Sequence, residues 1–226
     1  AVYMDADFAI RAIGGTIRSG FAFQMPINSS QISSVTGQNM TESYFVRAAN
    51  GTESGVTQAV IPVFDNAHAI SPLPAPYFLN TERAVAFRTP DTASIRVNFE
   101  AGLQMQYMGT APFNPFLVPN RNENGTINWS RDREIHLPGY AATSKANTAL
   151  FGTSGDDTRP GSNKWYKTHR NLPFALHMPE KFEYSLERQS ILSAYPRFAD
   201  WSQSGGTTAL DWYTNTSANR NIANIY

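Results

Sequence analysis

The chain has 226 residues, of which 41% are hydrophobic and 12% aromatic, and its 18 basic and 18 acidic side chains cancel. A chain without net charge has no long-range field to attract a polyanion, which argues against a nucleic-acid partner. The sequence has no cysteine, and this excludes a disulfide framework, thiolate metal sites and cysteine nucleophiles. The length fits one large all-β domain spanning residues 1–226.

The first third of the chain has the patterns of β-strands. Apolar residues alternate over residues 8–13 and again over 21–25, with two glycines between them, which predicts a hairpin. The run "VTQAVIPVF" at 56–64 is continuously apolar and rich in β-branched residues, as in a strand covered on both faces. Pro62 predicts a defect or a sheet edge within that strand, because proline cannot donate to a ladder.

Further along, residues 94–99 alternate cleanly, with apolar side chains inward and Arg96 and Asn98 outward. Another strand is predicted near residues 103–107. Three segments rich in Asn, Ser, Gly and Pro predict long loops, at residues 28–43, 65–77 and 119–130.

One helical pattern occurs near the C-terminal end. Ile191, Tyr195 and Phe198 follow at spacings of three or four, and two glycines at 205–206 supply a stop. Because Pro196 cannot donate to the preceding turn, we expect one short helix ending near Ala194 and a second beginning at the proline. Together the patterns predict an antiparallel, jelly-roll-like β-sandwich with long loops and a short broken helix pair.

The stretch "SRDREIHLPGY" at 130–140 concentrates charge. On a strand, Asp132, Glu134 and His136 would share one face, and Arg133 would lie on the other. Such a row is a candidate for general acid–base chemistry, as in a hydrolase using Glu134 and His136, or for ligand binding that also involves Arg133. The alternative, an exposed strand face with cross-strand ion pairs, is favoured because no nucleophile lies beside the row.

Asp156 and Asp157 lie in the Gly-, Ser- and Thr-rich stretch at 150–168 and form the candidate metal site. Clustered carboxylate and carbonyl oxygens on a tight loop suit a structural Ca²⁺. The alternative is an Asp-rich turn in which the side chains cap their own backbone. Zinc-protease (HExxH) and serine-hydrolase (GxSxG) motifs do not occur in the sequence.

Several aromatic residues stand in polar, loop-like surroundings, and two of them, Trp165 and Tyr166, are adjacent. Exposed aromatic faces of β-sandwich modules stack on sugar rings, so these two residues are candidates for carbohydrate binding. Burial in the core is the commoner fate of such side chains. The full set is Trp129, Tyr140, Trp165, Tyr166, Trp212 and Tyr213.

Five blocks in order resemble the LruC domain, a bacterial family at the C-terminal end of exported or surface-attached proteins. The blocks are "APFNPFLVPN" (111–120), "REIHLPGY" (133–140), "LFGTSGDD" (150–157), "NLPFALHMP" (171–179) and "AYPRFADWSQSGG" (194–206). The resemblance implies an exported protein of the periplasm, outer membrane or cell surface. It supplies no catalytic residues.

The sequence therefore predicts a non-enzymatic module of the cell envelope that binds or anchors. A glycan or a cell-surface protein is the expected partner. No apolar run is long enough to span a bilayer. Membrane attachment would then come from a lipid anchor upstream of this sequence.

Overall fold

Two antiparallel sheets packed face to face form the centre of the structure, a computed structural model that describes residues 2–14, 17–74, 78–123 and 126–226. This arrangement confirms the predicted β-sandwich.

The first sheet has three strands, β1 (Tyr3–Ile10), β3 (Ile32–Thr36) and β5 (Asp91–Phe99). β5 is central and pairs antiparallel with both neighbours. Its even alternation is confirmed, because Ile95 and Val97 are buried while Arg96 is exposed.

The second sheet has four strands in the order β4 (Gln58–Phe64), β2 (Ser19–Asn28), β6 (Asn114–Pro119) and β9 (Ile135–His136). The last six residues of β4 are buried, which confirms the prediction from its apolar run. β4 is an edge strand, and the register of its pairing with β2 shifts beside Pro62. The proline is thus at the kind of position where a missing donor is tolerated.

The second sheet is buried on both faces, by two separate apolar clusters. The larger cluster lies between the sheets and includes Phe23, Met25, Ile61 and Val97. The smaller one covers the outer face and includes Phe45, which comes from the segment between β3 and β4, together with residues of β2, β4 and β6.

The remaining regular elements are short. β7 (Arg121–Glu123) and β8 (Thr126–Asn128) pair as a two-stranded antiparallel ribbon. The short helix α1 (Ala67–Ile70) follows β4. Near the C-terminal end, α2 (Ile191–Ala194) and α3 (Phe198–Gln203) confirm the predicted broken helix pair. They pack on an aromatic cluster around Trp212. No helix of the described residues has the length and apolarity needed to cross a membrane.

The segments predicted as long loops contain more regular structure than expected. β3 lies inside 28–43, α1 inside 65–77, and β7 and β8 inside 119–130. Residues 75–77 and 124–125 of these segments lie outside the described residues. The long irregular stretch of the fold instead connects β9 to α2, with 3₁₀ turns at 148–150 and 160–162 as its only helical pieces among the described residues.

Two other predictions are wrong. β1 and β2 form no hairpin, because β1 pairs with β5 over its whole length and β2 belongs to the other sheet. The rings of Phe8 and Phe21 do meet, 5.0 Å apart between centroids, but across the sandwich. The strand expected near 103–107 is replaced by a 3₁₀ turn at Met105–Tyr107.

Shortening a side chain in the core between the two sheets should destabilise the fold. Ile61 is fully buried between the sheets. We expect Ile61→Ala to lower the free energy of unfolding by about 2–5 kcal/mol, because apolar contacts are lost and a cavity remains. Urea unfolding measures this. Ile222→Ala, at a residue that is 71% exposed, is the matched control, and an equal loss there would contradict the assignment of Ile61 to the core.

Candidate functional site

Glu134 and His136 share one face, as the alternation predicted, but that face is buried. Glu134 is 8% exposed and His136 is fully buried. β9 pairs with β6 so that His136 lies opposite Phe116, on the covered outer face of the second sheet. The interpretation of this row as an exposed strand face is therefore wrong.

Arg131 holds two buried carboxylates together. Its Nε and Nη2 donate to Oε1 and Oε2 of Glu53, at 2.5 and 2.7 Å, and its Nη1 donates to Oε1 of Glu134 at 2.5 Å. The guanidinium also lies over the rings of Phe45 and Phe116, with its Cζ 5.2 and 5.1 Å from the two centroids. Planar bidentate pairing and stacking on rings are both suited to arginine.

The second carboxylate oxygen of Glu134 completes the network. Oε2 lies 2.8 Å from Nε2 of His136 and accepts from the backbone N–H of Thr143, also at 2.8 Å. The Thr143 hydroxyl donates to Oε1. On the far side of the imidazole, Nδ1 lies 2.6 Å from Oδ1 of Asn114. We call Glu53, Arg131, Glu134, His136 and Thr143 the buried ionic network.

The pKa values of the pair reflect opposing effects. Burial by itself would raise the pKa of Glu134, but the hydrogen bond from His136 and the charge of Arg131 lower it to about 2. Burial lowers the pKa of His136, while the hydrogen bond with Glu134 opposes that effect. Glu134 is therefore ionised throughout the physiological range.

Arg133 is not a member of the buried ionic network. Its Nη1 is buried and has no hydrogen-bond partner in the described part of the chain. Asp132, which was expected beside Glu134, instead lies in the preceding turn. Its carboxylate accepts from Ser130 and Asn147.

Tyr166 is 4% exposed, and its ring stacks on His136 with 4.9 Å between centroids. Its hydroxyl, like Nη1 of Arg133, has no partner among the described residues. Trp165 is half-buried, donates from its indole to Oδ1 of Asn163 at 2.9 Å and meets Phe151 edge-on. The ring face of Tyr166 is thus occupied by protein, whereas Trp165 keeps part of its surface accessible.

Asp156 makes the backbone-capping contacts of an Asp turn. Its Oδ1 accepts from the N–H and hydroxyl of Thr158 at 3.0 and 2.7 Å, and its Oδ2 accepts from the N–H of Gly152 at 3.1 Å. This is the capping pattern that competed with the calcium interpretation.

Asp157 is neutralised by basic side chains. Its Oδ2 accepts from Arg159 at 2.8 Å and from Lys164, and Oδ1 lies 3.3 Å from Nδ1 of His169. The hydrogen bonds from Arg159 and Lys164 lower the pKa of Asp157 to about 2. No group of three or more metal-ligating side chains occurs within the described ranges. A Ca²⁺ ion bound by Oδ2 of Asp157 would have to displace both basic residues.

Three members of the buried ionic network escaped sequence reasoning. Arg131 lies in the same charged stretch, three residues before Glu134, and the need of a buried carboxylate for a cation could have indicated it. Thr143 and Glu53 gave no such indication, and Glu53 is 78 residues away from Arg131.

The fold and the network define the class of protein. It is a β-sandwich in which Glu134 and His136 of the charged stretch are buried rather than exposed to solvent. The chain belongs to a family described as a domain of unknown function, DUF4842, whose family model matches residues 1–213. No curated protein matches the chain.

A solved structure resembles this fold over nearly the whole chain. It is the crystal structure of a putative lipoprotein from Bacteroides ovatus, with a TM-score of 0.65 and 16% sequence identity. The match covers 99% of this chain and 63% of that one. The chain thus spans less than two thirds of that protein, and the likeness shows the fold.

Removal of the charge on Glu134 should destabilise the fold strongly. In Glu134→Gln, Arg131 loses one of its two carboxylates and His136 loses its anionic partner, which for a buried pair costs about 3–5 kcal/mol. Chemical denaturation measures the change. Asp5→Asn, which breaks the exposed ion pair with Arg96, is the control and should change stability little. Similar losses in both variants would contradict an internal role for Glu134.

The contribution of Glu134 should disappear in acid. Its folded pKa of about 2 lies below its ordinary value of 4.5, so its stabilisation is fully present above pH 4.5 and is lost as the pH falls through 2. The stability difference between the native chain and Glu134→Gln should therefore shrink between these two pH values. A difference independent of pH in this window would show that folding does not lower the pKa of Glu134.

The calcium prediction is tested by a thermal melt in EDTA and in excess Ca²⁺. Because Asp157 already has cationic partners, we expect the same melting temperature in both. A rise with Ca²⁺, abolished in Asp157→Asn, would instead establish a calcium site by mass action.

Proposed function

We propose that this chain is a non-enzymatic module of the cell envelope that acts by binding or anchoring. The observation that carries the proposal is the burial of Glu134 and His136. A general acid or base must come within hydrogen-bonding distance of its substrate. His136 has no exposed surface, and both of its ring nitrogens face protein oxygens.

Two observations support placement in the envelope. The B. ovatus protein of similar fold is described as a putative lipoprotein. The LruC resemblance of the blocks between residues 111 and 206 agrees with this, because that family occurs on exported proteins. We accordingly propose an exported protein of the periplasm or outer surface, held by a lipid anchor upstream of residues 1–226, which form one domain.

One observation favours carbohydrate binding as the specific function of the module. Arg133 and Tyr166 line a common cavity, and the neighbouring Trp165 keeps part of its ring surface accessible. A glycan of the cell surface would be the partner.

Localisation and turnover test this proposal. In cells of the source organism, antibody detection after cell fractionation should find the protein in the envelope fraction. Purified protein should not hydrolyse nitrophenyl esters, phosphates or glycosides. Recovery in the cytosolic fraction would contradict the proposed location. Turnover that is abolished in Glu134→Gln, while the folded fraction measured by circular dichroism is maintained, would contradict the non-enzymatic assignment.

A further inference from the structure

β1 is an edge strand of the first sheet, and only one of its two sides is paired within the described residues. It lies opposite β5 from Tyr3 and Asn98 to Ile10 and Asp91 without a shift in register. The strand contains neither proline nor lysine, the residues that commonly protect an edge. A long, straight and uncovered edge offers a row of unpaired backbone groups to another strand.

The hydrogen-bonding pattern of the ladder identifies the backbone groups that are free. The N–H of Phe99 donates to the carbonyl of Val2 at 3.0 Å, so these two residues form a hydrogen-bonded pair. In an antiparallel ladder such pairs alternate with pairs that are not hydrogen-bonded. The even-numbered residues of β1 therefore bond to β5, and the N–H and C=O groups of the odd-numbered residues face the open side. No described residue bonds to these outward groups, which belong to Tyr3, Asp5, Asp7 and Ala9.

The apolar side chains of β1 are less covered than those of the strand beside it. Met4, Phe8 and Ile10 pack on the core between the sheets but are only partly buried. Ile95 and Val97 of β5, on the same face, are 3% and 0% exposed. A further strand alongside β1 would cover this apolar row as well as its backbone.

The other edges of the two sheets are protected. In β3, the N–H of Val35 donates to the carbonyl of Asn50 at 2.8 Å. β4 contains Pro62, and its Val60 carbonyl accepts from the N–H of Glu53. β9 is only two residues long. Within the described ranges, β1 is thus the edge of the sandwich that lacks such protection.

Charge determines which strand fits this edge. Asp5 is paired with Arg96 at 2.7 Å, whereas Asp7 is exposed and has no ion pair in the described part of the chain. Two-fold pairing with a second copy, centred on β1, would place Asp5 opposite Asp7. The registers on either side would place Asp5 opposite Asp5 or Asp7 opposite Asp7. Like charges directly opposite each other destabilise a strand pair, so a second copy fits poorly and a cation opposite Asp7 fits well.

We propose that the free edge of β1 binds an extended segment of another protein, which adds a strand to the first sheet. The outward backbone groups of β1 supply the hydrogen bonds. Alternate side chains of the segment are apolar and cover Phe8 and Ile10, and a lysine or arginine lies opposite Asp7. In strand addition of this kind the main chain provides affinity and the alternate side chains provide specificity. The inference concerns a protein partner and does not depend on the proposed carbohydrate binding.

The first part of the test is amide hydrogen exchange, measured by NMR on the full chain. Without any ligand, the amides of Asp5 and Asp7 should exchange faster than those of Ala6 and Phe8, because only the latter pair bonds to β5. The synthetic peptide Ac-VKVTVKVTV-amide should slow exchange at Asp5 and Asp7. It should bind about fivefold more tightly than the same peptide with glutamate in place of both lysines, because a cross-strand attraction becomes a repulsion.

Variants of Asp7 form the second part. Asp7→Lys should reverse the preference between the two peptides. Asp200→Lys, at an exposed aspartate of α3 without an ion pair among the described residues, is the matched control and should change neither affinity. Asp7→Pro removes an outward N–H without removing a bond to β5, so it should weaken binding of the lysine peptide about fivefold while circular dichroism shows a folded chain. If Asp7→Pro does not fold, the reversal in Asp7→Lys decides.

Several results would overturn the proposal. These are slow exchange of Asp5 and Asp7 in the free chain, no binding of the lysine peptide, equal affinity for both peptides, binding that leaves exchange in β1 unchanged, or no reversal in Asp7→Lys. A dimer in sedimentation equilibrium that is lost in Asp7→Pro would identify a second copy as the occupant and would also overturn it.

Discussion

The guanidinium of Arg131 between the carboxylates of Glu53 and Glu134 is the interaction on which the outer face of the second sheet depends. Glu53 belongs to the segment that covers this face, and its N–H donates to the carbonyl of Val60 in β4 at 2.8 Å. Glu134 precedes β9 at the opposite edge of the sheet. The network therefore joins the covering segment beside one edge strand to the other edge strand across the whole sheet.

Such a network selects one arrangement of the chain more than it adds to the overall stability. Taking charges out of water is costly, and a buried ion pair often contributes little compared with apolar residues of the same shape. Once the charges are buried, however, every arrangement that leaves one of them without a partner is strongly disfavoured. The two-residue strand β9 forms few ladder bonds of its own, so we infer that Arg131 and Glu134 set its position against β6.

The network also connects the interior to the cavity that we propose for carbohydrate binding. His136 is stacked between Phe116 and Tyr166, with centroid distances of 4.6 and 4.9 Å. Tyr166 and Glu134 both line the cavity that also contains Arg133 in its lining. Residues of a kind that often perform catalysis thus lie inside the protein here, with their polar atoms paired to other side chains.

The local patterns of the sequence determined those strands and helices whose burial follows a period or a continuous apolar run. The alternation in β5 was readable because periodicity records which side of an element is buried. The continuous apolar run of β4 indicated burial on both faces, and Pro196 indicated the break between the two helices. The pairing of β1 with β5 and the salt bridge from Arg131 to Glu53 were decided only by the tertiary structure. Alternation is the same whichever strand lies alongside, and a charged row looks alike in water and in the core until the segment that covers it is known. The functional assignment of Glu134 and His136 depended on that covering segment, whose contacts are made between residues far apart in the chain.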